Sequence, residues 1–173
     1  MAGIDTSRTF RPLGIAVLTL TDTRTFETDT SGAYLVEALQ GAGHRLAHRA
    51  LIPDDKARLA ECLRAWASDP SVDVVLTTGG TGITRRDITP EVVTELADKL
   101  IPGFGELFRM LSYETIGTST IQSRALAAVV QGTLVFALPG STGACKDAWK
   151  GILSLQLDSR HRPCNFAELL DRL

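Results

Sequence analysis

The first half of the chain alternates short segments rich in aliphatic residues with segments whose apolar residues recur at helical spacing. The aliphatic segments are residues 14–20, 46–52 and 72–76. The first and third of these runs are typical of strands buried in a parallel sheet, and the second fits a strand as well. The segments between them carry apolar residues three and four positions apart, at Leu35, Ala38, Leu39 and Ala42 and at Leu59, Cys62, Leu63 and Trp66. This alternation predicts an α/β fold, a three-layer α/β/α domain around a mainly parallel sheet.

Capping residues and a hairpin complete the predicted set of elements. Thr30 or Ser31 is placed to cap the first helix, and Thr89 to cap a third helix that has a proline in its first turn. Residues 126–130 and 133–138 are two aliphatic segments separated by Gln-Gly. They predict a β-hairpin near the end of the sheet.

Composition and charge exclude several classes of protein. The 173 residues are 44% hydrophobic with a net charge of -2, a composition that predicts one globular domain. We place this domain at 13–173 and interpret residues 1–12 as a flexible leader. No extended basic field favours nucleic acid, and no apolar run approaches the roughly 20 residues of a membrane span. Cys62, Cys145 and Cys164 form no CxxC pair. We therefore expect no disulfide framework, no structural zinc and a cytoplasmic location.

The strongest local signal is the glycine-rich segment TTGGTGITRRDITPE at residues 77–91, directly after a predicted strand. Its glycines allow backbone N–H groups to approach a phosphate, while Asp87 is a candidate magnesium ligand. The groups offered to a phosphate belong to Gly79, Gly80, Gly82, Thr78 and Thr81. The alternative is a plain glycine turn between a strand and a helix. The segment is neither a P-loop nor a GxGxxG dinucleotide motif.

A second candidate anion site follows the last predicted strand, in LPGSTGA at residues 138–144. Ser141 or Thr142 would cap the helix that begins there. The free N–H groups and positive dipole end of such a helix favour an anion. A plain capped helix start is an equally good interpretation.

Acidic and hydroxyl residues add two further candidates. Asp54 and Asp55 follow the second strand, where aspartates are usually helix caps. Together with Asp87, however, carboxylates from neighbouring strand ends would suit a magnesium–triphosphate. Residues 118–124 offer several hydroxyls and Arg124 to a second anionic ligand, or else form a helix cap and a solvated arginine.

Taken together, these motifs resemble the MoaB/MogA family of molybdenum cofactor biosynthesis proteins, whose fold also occurs in gephyrin-like G domains. The segment at 77–91 resembles the family signature. The segments that resemble the MoaB branch in particular are PGFGELFRMLS at 102–112, IGTSTIQSRA at 116–125, LPGSTGAC at 138–145 and RPCNF at 162–166. The resemblance extends from about residue 13 to residue 173.

The resemblance implies a MoaB/MogA-like α/β/α domain that associates into trimers or dimers of trimers, with the hexamer favoured. It also implies a molybdopterin adenylyltransferase that uses ATP as co-substrate with Mg²⁺. Asp54 and Asp87 would be the catalytic and magnesium-binding residues, with Asp54 favoured over Asp55. The implied substrate-binding residues are Thr78, Gly79, Gly80, Thr81, Gly82, Ser123, Arg124, Pro139, Gly140 and Ser141.

One departure from the family pattern keeps a second hypothesis open. Members with clear adenylyltransferase character tend to have Pro-Gly-Asn-Pro after the last strand, whereas this chain has Pro-Gly-Ser-Thr-Gly at 139–143. The change removes a rigid proline from a loop that is expected to touch the ligand. The alternative function is therefore a non-catalytic protein that binds molybdopterin or assists assembly in the same pathway.

Overall fold

A six-stranded sheet with helices on both faces forms the centre of the computed structural model, which describes residues 3–173. Met1 and Ala2, the first residues of the predicted leader, lie outside the described residues. The elements in chain order are β1 (Gly3–Ile4), β2 (Gly14–Leu20), α1 (Thr30–Gly41), β3 (Arg45–Ile52), α2 (Lys56–Ala67), β4 (Val74–Thr78), α3 (Thr89–Leu96), β5 (Lys99–Leu100), α4 (Pro102–Ile116), β6 (Leu126–Val130), β7 (Thr133–Leu138), α5 (Thr142–Ala148), α6 (Ser154–Gln156) and β8 (His161–Arg162).

The strand order of the sheet is β3-β2-β4-β7-β6-β5. The four strands from β3 to β7 in this order are parallel to one another, while β6 is antiparallel to β7 and β5 is antiparallel to β6. The sheet is therefore mainly parallel, and β6 and β7 form the predicted hairpin. Because the four parallel strands run in one direction, the loops that follow them meet at one edge of the sheet.

The sheet separates two apolar cores, since successive side chains of a strand point to opposite faces. In β2, Ile15 and Val17 face a core shared with α1, α4 and α5. Ala16 and Leu18 face the other core, which is shared with α2 and α3. All four side chains are fully buried. This arrangement confirms the predicted three-layer α/β/α architecture.

Two predicted helix caps are wrong: the first lies one residue from the true cap, and the second has a tertiary cause. The N-cap of α1 is Asp29, whose carboxylate accepts from the N–H of Gly32 at 3.0 Å. Thr89 is the first residue of α3 instead of its cap. Its buried hydroxyl donates to the carbonyl of Gly79 at 2.9 Å. The hydroxyl therefore fixes the glycine-rich segment instead of capping α3. Of the two candidate caps for α5, Ser141 is the one used.

The described part of the predicted leader contacts the end of the chain. Gly3–Ile4 pairs with His161–Arg162 in a separate antiparallel ribbon. Arg8 forms an ion pair with Glu168, and Arg11 binds Asp171 at 2.9 Å. The division into a leader and a domain stays a prediction. Among residues 3–173, no helix is both long enough and apolar enough to cross a membrane.

Candidate active site

A cavity of about 590 Å³ lies at the carboxyl ends of β2, β4 and β7. Residues 21–24 follow β2, residues 79–82 follow β4 and residues 139–141 follow β7, and all of them line the cavity. Another wall is formed by α4 and by the 3-10 helix Gly117–Gln122. The cavity thus occupies the position where open parallel sheets bind their ligands.

The cavity brings together every predicted site residue except Arg124. The predicted residues that line it are Asp54, Thr78, Gly79, Gly80, Thr81, Gly82, Asp87, Ser123, Pro139, Gly140 and Ser141. They come from four separate stretches of the sequence. These stretches meet because the sheet places strands that are distant along the chain next to one another.

The glycine-rich segment needs glycine at its first two positions. Gly79 has φ +107° and Gly80 has φ +66°, a region that side chains rarely adopt. A Cβ atom on Gly79 would lie 2.4 Å from the carbonyl oxygen of Leu20. The N–H of Gly79 donates to the carbonyl of Leu138 at 3.0 Å. The turn is therefore packed tightly between the strands on either side of β4.

Asp87 is held by the segment that carries it. One of its carboxylate oxygens accepts from the N–H of Thr84 at 2.8 Å and from its hydroxyl at 2.7 Å. Burial alone would raise the pKa of the Asp87 carboxyl. The hydrogen bonds from Thr84 and Gly82 and the nearby charge of Arg124 outweigh that effect and lower this pKa below its ordinary value. Asp87 is thus a fixed, ionised carboxylate at the cavity wall.

Asp54 differs from Asp87 because its carboxylate accepts no hydrogen bond within residues 3–173. Its Oδ1 atom is buried, and no hydrogen bond to it is found among residues 3–173. Burial raises the pKa of this carboxyl, and the charges of Asp22 and Asp87 raise it further, while Arg86 opposes them. An unpaired buried carboxylate oxygen is costly unless a ligand satisfies it.

Asp55 has a separate role. Its carboxylate accepts from the N–H of Arg58 at 2.9 Å and caps α2, and its side chain does not line the cavity. The sequence left these two neighbouring aspartates as alternatives. In the structure Asp55 caps α2, and Asp54 lines the cavity.

The donor set suits a magnesium ion that is shared with a phosphate ligand. Within residues 3–173, no group of three or more His, Cys, Asp and Glu side chains is arranged to hold a metal. Magnesium in phosphate-binding sites usually takes only one or two carboxylates and completes its shell with water and phosphate oxygens. Asp54 and Asp87 supply this number, and the free Oδ1 of Asp54 is an oxygen that a cation would satisfy.

Several lining residues were not predicted. Phe108, Ser112 and Ile116 lie four positions apart on α4 and form one stripe along the cavity. Arg24 adds a positive charge, and its guanidinium donates to the carbonyl of Gly140 at 3.2 Å. The strand-end rule does mark residues 21–24, a polar segment after the first strand, as a place for a ligand, but it assigns Arg24 no role. Asp22 follows β2 in the same way.

Comparison with known proteins identifies the family. A family described as "Probable molybdopterin binding domain" matches residues 16–159, which include the whole cavity lining. Molybdenum cofactor biosynthesis protein B of Escherichia coli strain K12 is 50% identical over 160 residues, which are 92% of this chain and 94% of that protein. The chain belongs to the MoaB family. The resemblance of its motifs to that family is thereby confirmed.

Solved structures of the MoaB family and its relatives agree with this assignment. A crystal structure of molybdenum cofactor biosynthesis protein B superimposes with a TM-score of 0.84 at 44% identity, covering 87% of this chain and 94% of that one. The molybdopterin biosynthesis Mog protein from Mycobacterium ulcerans gives a TM-score of 0.76 at 26% identity, covering 94% and 97%. The MoaB/MogA-like fold is confirmed, and the chain is a protein of molybdenum cofactor biosynthesis.

Proposed function

We propose that this MoaB-family chain is a molybdopterin adenylyltransferase, which converts molybdopterin and MgATP into adenylyl-molybdopterin and pyrophosphate. The observation that carries the proposal is a cavity that pairs a glycine-rich turn with two acidic side chains, one of which has an unsatisfied buried oxygen. The family's description as molybdopterin binding and the names of the relatives support molybdopterin as the substrate.

The proposed reaction is a displacement at the α-phosphorus of ATP. The terminal phosphate oxygen of molybdopterin forms the new P–O bond, and the bond from the α-phosphorus to the oxygen bridging it to the β-phosphorus breaks. Pyrophosphate leaves with the electron pair. Such a transfer needs alignment and charge neutralisation more than a covalent nucleophile. The cavity offers these through charged side chains and backbone N–H groups.

Asp54 and Asp87 are the residues proposed to hold Mg²⁺. The ion would supply positive charge that neutralises the triphosphate. Asp87 would present a carboxylate whose position is set by the Thr84 hydrogen bonds. Asp54 would present its unpartnered Oδ1, for which Gly80 leaves room: a Cβ atom on Gly80 would lie 3.1 Å from that oxygen.

The glycine turn and Arg24 are proposed to bind the phosphates. The N–H of Gly79 is occupied by the carbonyl of Leu138. The N–H groups of Gly80 and Thr81 donate no hydrogen bond within residues 3–173, so they are the donors left for an anion. Arg24, which follows the neighbouring strand β2, lines the cavity and adds positive charge. Ser123, Pro139 and the rest of the cavity lining would then contact molybdopterin.

A non-catalytic molybdopterin-binding or assembly protein is the second candidate. The observation in its favour is the loop after β7, where both hydroxyl oxygens already have partners within the chain. Ser141 Oγ caps α5 by accepting from Ala144, and the hydroxyl of Thr142 lies 2.8 Å from that of Thr30. Within residues 3–173 the O–H of Ser141 stays free to donate, so the capacity of this loop to bind a reacting phosphate is reduced and not absent.

The first test is a turnover assay with purified protein, molybdopterin and MgATP, following pyrophosphate and adenylyl-molybdopterin. We expect turnover by the unaltered chain and a loss of at least about a hundredfold in Asp87→Ala, because a group that neutralises developing charge is removed. A circular-dichroism melt controls for folding. Molybdopterin binding without turnover in either protein would reject the enzyme and support the binding protein.

We also propose that the chain associates with itself, as a trimer or, preferably, a dimer of trimers. The surface that supports this is an apolar face on α4 and the following 3-10 helix, where Met110 is 60% exposed and Ile121 is 81% exposed. Tyr113 adds a half-exposed aromatic ring. Exposed apolar clusters of this kind mark interfaces between chains.

Sedimentation equilibrium tests the self-association. We expect a mass of three or six chains for the unaltered protein, and a smaller species for Met110→Glu, because the substitution places a charge in the apolar face. Leu155→Glu, on α6, is the control, since Leu155 is 39% exposed but lies on another element. A monomer for the unaltered protein would reject the proposal.

The proposed location is the cytoplasm. Cys62, Cys145 and Cys164 are all free thiols, the state that a reducing compartment maintains.

A further inference from the structure

Arg124 is the predicted substrate-binding residue that lies outside the cavity lining. Its guanidinium contacts the glycine-rich segment instead. Nε donates to the carbonyl of Gly82 at 2.6 Å, and Nη2 donates to the carbonyl of Asp87 at 3.0 Å. Both acceptors are backbone atoms of the turn that carries the proposed magnesium ligand. Arg124 thus ties the two ends of residues 82–87 together.

Glu91 completes the arrangement. The remaining terminal nitrogen of Arg124, Nη1, is bonded to the Glu91 carboxylate in the first turn of α3. Every nitrogen of the guanidinium is therefore engaged within the chain. A planar guanidinium suits this task because its donors are fixed in one fork, which a lysine lacks. These bonds use three of the five guanidinium N–H donors, and Arg124 does not line the cavity.

The turn that Arg124 closes sets the position of the Asp87 carboxylate. Thr84, inside the turn, donates to that carboxylate from both its N–H and its hydroxyl. The main chain of Arg124 adds a further link, since its N–H donates to the carbonyl of Thr81 at 3.0 Å. The residue before it, Ser123, lines the cavity. Arg124 therefore joins the wall that contains Ser123 to the wall that contains Asp87.

We propose that Arg124, oriented by Glu91, is a positioning residue that fixes the turn at residues 82–87 for nucleotide binding and does not touch substrate. The inference rests on the proposed adenylyltransferase and deepens it, because it assigns the arginine to the nucleotide side of the reaction. It replaces the interpretation of Arg124 as a ligand for a second anion.

The test uses Arg124→Lys, Glu91→Gln and the double variant in the full chain. Arg124→Lys keeps the positive charge but removes the planar set of N–H donors. Glu91→Gln keeps the arginine and removes the carboxylate that pairs with it. Glu95→Gln is the matched control, because Glu95 is an exposed acid one turn further along α3 and makes no ion pair within residues 3–173. Thermal melts report folding. If Arg124→Lys does not fold, Glu91→Gln carries the test, since Glu91 is exposed.

The kinetic readout is kcat and the KM for each substrate. We expect kcat to fall about tenfold to a hundredfold in both single variants, because a displacement of about 1 Å in a positioned group has that effect. The KM for molybdopterin is expected to stay unchanged, and the double variant to be no worse than the singles. A raised KM for molybdopterin at constant kcat would overturn the proposal and make Arg124 a ligand for that substrate. Unaltered kinetics in both single variants would overturn it too.

A binding measurement separates this inference from the proposed function. The affinity for a non-hydrolysable MgATP analogue is measured by calorimetry in the same proteins. We expect it to fall by about tenfold or more in Arg124→Lys and Glu91→Gln and to be unaltered in Glu95→Gln. If the unaltered chain binds the analogue but shows no turnover, the adenylyltransferase is rejected. A lower affinity for the analogue in the two variants would still support the role of Arg124. Equal affinity in all the proteins, or no binding by the unaltered chain, would overturn that role.

Discussion

Asp54→Asn is expected to lower turnover by about a hundredfold to a thousandfold while leaving the free energy of unfolding unchanged or higher. The amide has nearly the shape of the carboxylate but cannot neutralise a cation. The native carboxylate places an unpartnered oxygen in a buried position, which opposes folding until a ligand satisfies it. Removing the charge should therefore not lower the free energy of unfolding but should lower turnover, a trade-off that is common for functional residues. Pyrophosphate release and urea denaturation measure the two quantities.

Asp55→Asn is the control for that experiment. Asparagine caps helices about as well as aspartate, so α2 should keep its cap and the variant should retain both turnover and stability. The pair removes the same charge from adjacent positions, of which only Asp54 lines the cavity. Equal losses in the two variants would reject the separate roles assigned to them. Full turnover by Asp54→Asn would remove Asp54 from the site.

Gly79→Ala is expected to lower the free energy of unfolding by roughly 3 kcal/mol and turnover by more than about a hundredfold. The alanine Cβ would lie 2.4 Å from the backbone oxygen of Leu20, in a φ region that disfavours side chains. The turn must then shift. Gly140 approaches this turn so closely that a Cβ on Gly140 would lie 3.2 Å from the Gly79 Cα atom. The displacement therefore reaches the loop after β7, and denaturation and turnover assays measure both effects.

Gly143→Ala, in α5, is the matched control, because Gly143 does not line the cavity. A Cβ atom at Gly143 would meet nothing within 4 Å, and the residue lies in α5, where alanine is favoured over glycine. Stability should rise slightly and turnover should stay the same. Retained stability and turnover in Gly79→Ala would show that the turn adapts, and would contradict the tight packing on which its role depends.

The layered fold could be predicted from the sequence because strand burial and helix amphipathicity are local patterns. The aliphatic segments that became β2, β3 and β4 needed no knowledge of their partners. The helix caps were harder to predict, because a side chain that could cap a helix can instead bond to a group elsewhere in the fold. Thr89 has the right side chain for a cap, yet its hydroxyl bonds to the carbonyl of Gly79. That acceptor is ten residues away and becomes a neighbour only in the folded chain.

The candidate site was predictable where it follows strands and unpredictable where it lies on a helix. Asp54 and the glycine segment were found because residues at strand ends converge in parallel sheets. Phe108 and Ile116 were not, because an apolar helix stripe looks the same whether it faces a core or a cavity. Arg124 shows a third limit. The sequence around a loop arginine does not show whether its guanidinium binds a ligand or the carbonyl groups of its own chain.

The position of β4 in the sheet has a consequence for how the protein loses its binding capacity. β4 is bonded to β2 on one side and to β7 on the other, and the glycine turn begins directly after its last residue. Backbone amides in the middle of a sheet exchange with solvent only in large openings, whereas outer strands such as β3 and β5 fray at lower cost. When only the outer strands of the sheet open, the glycine turn stays attached to β4 and its two neighbouring strands. The glycine turn and the fold as a whole should therefore be lost together, in one cooperative step, whereas Asp54, which follows the outer strand β3, should be displaced by smaller openings.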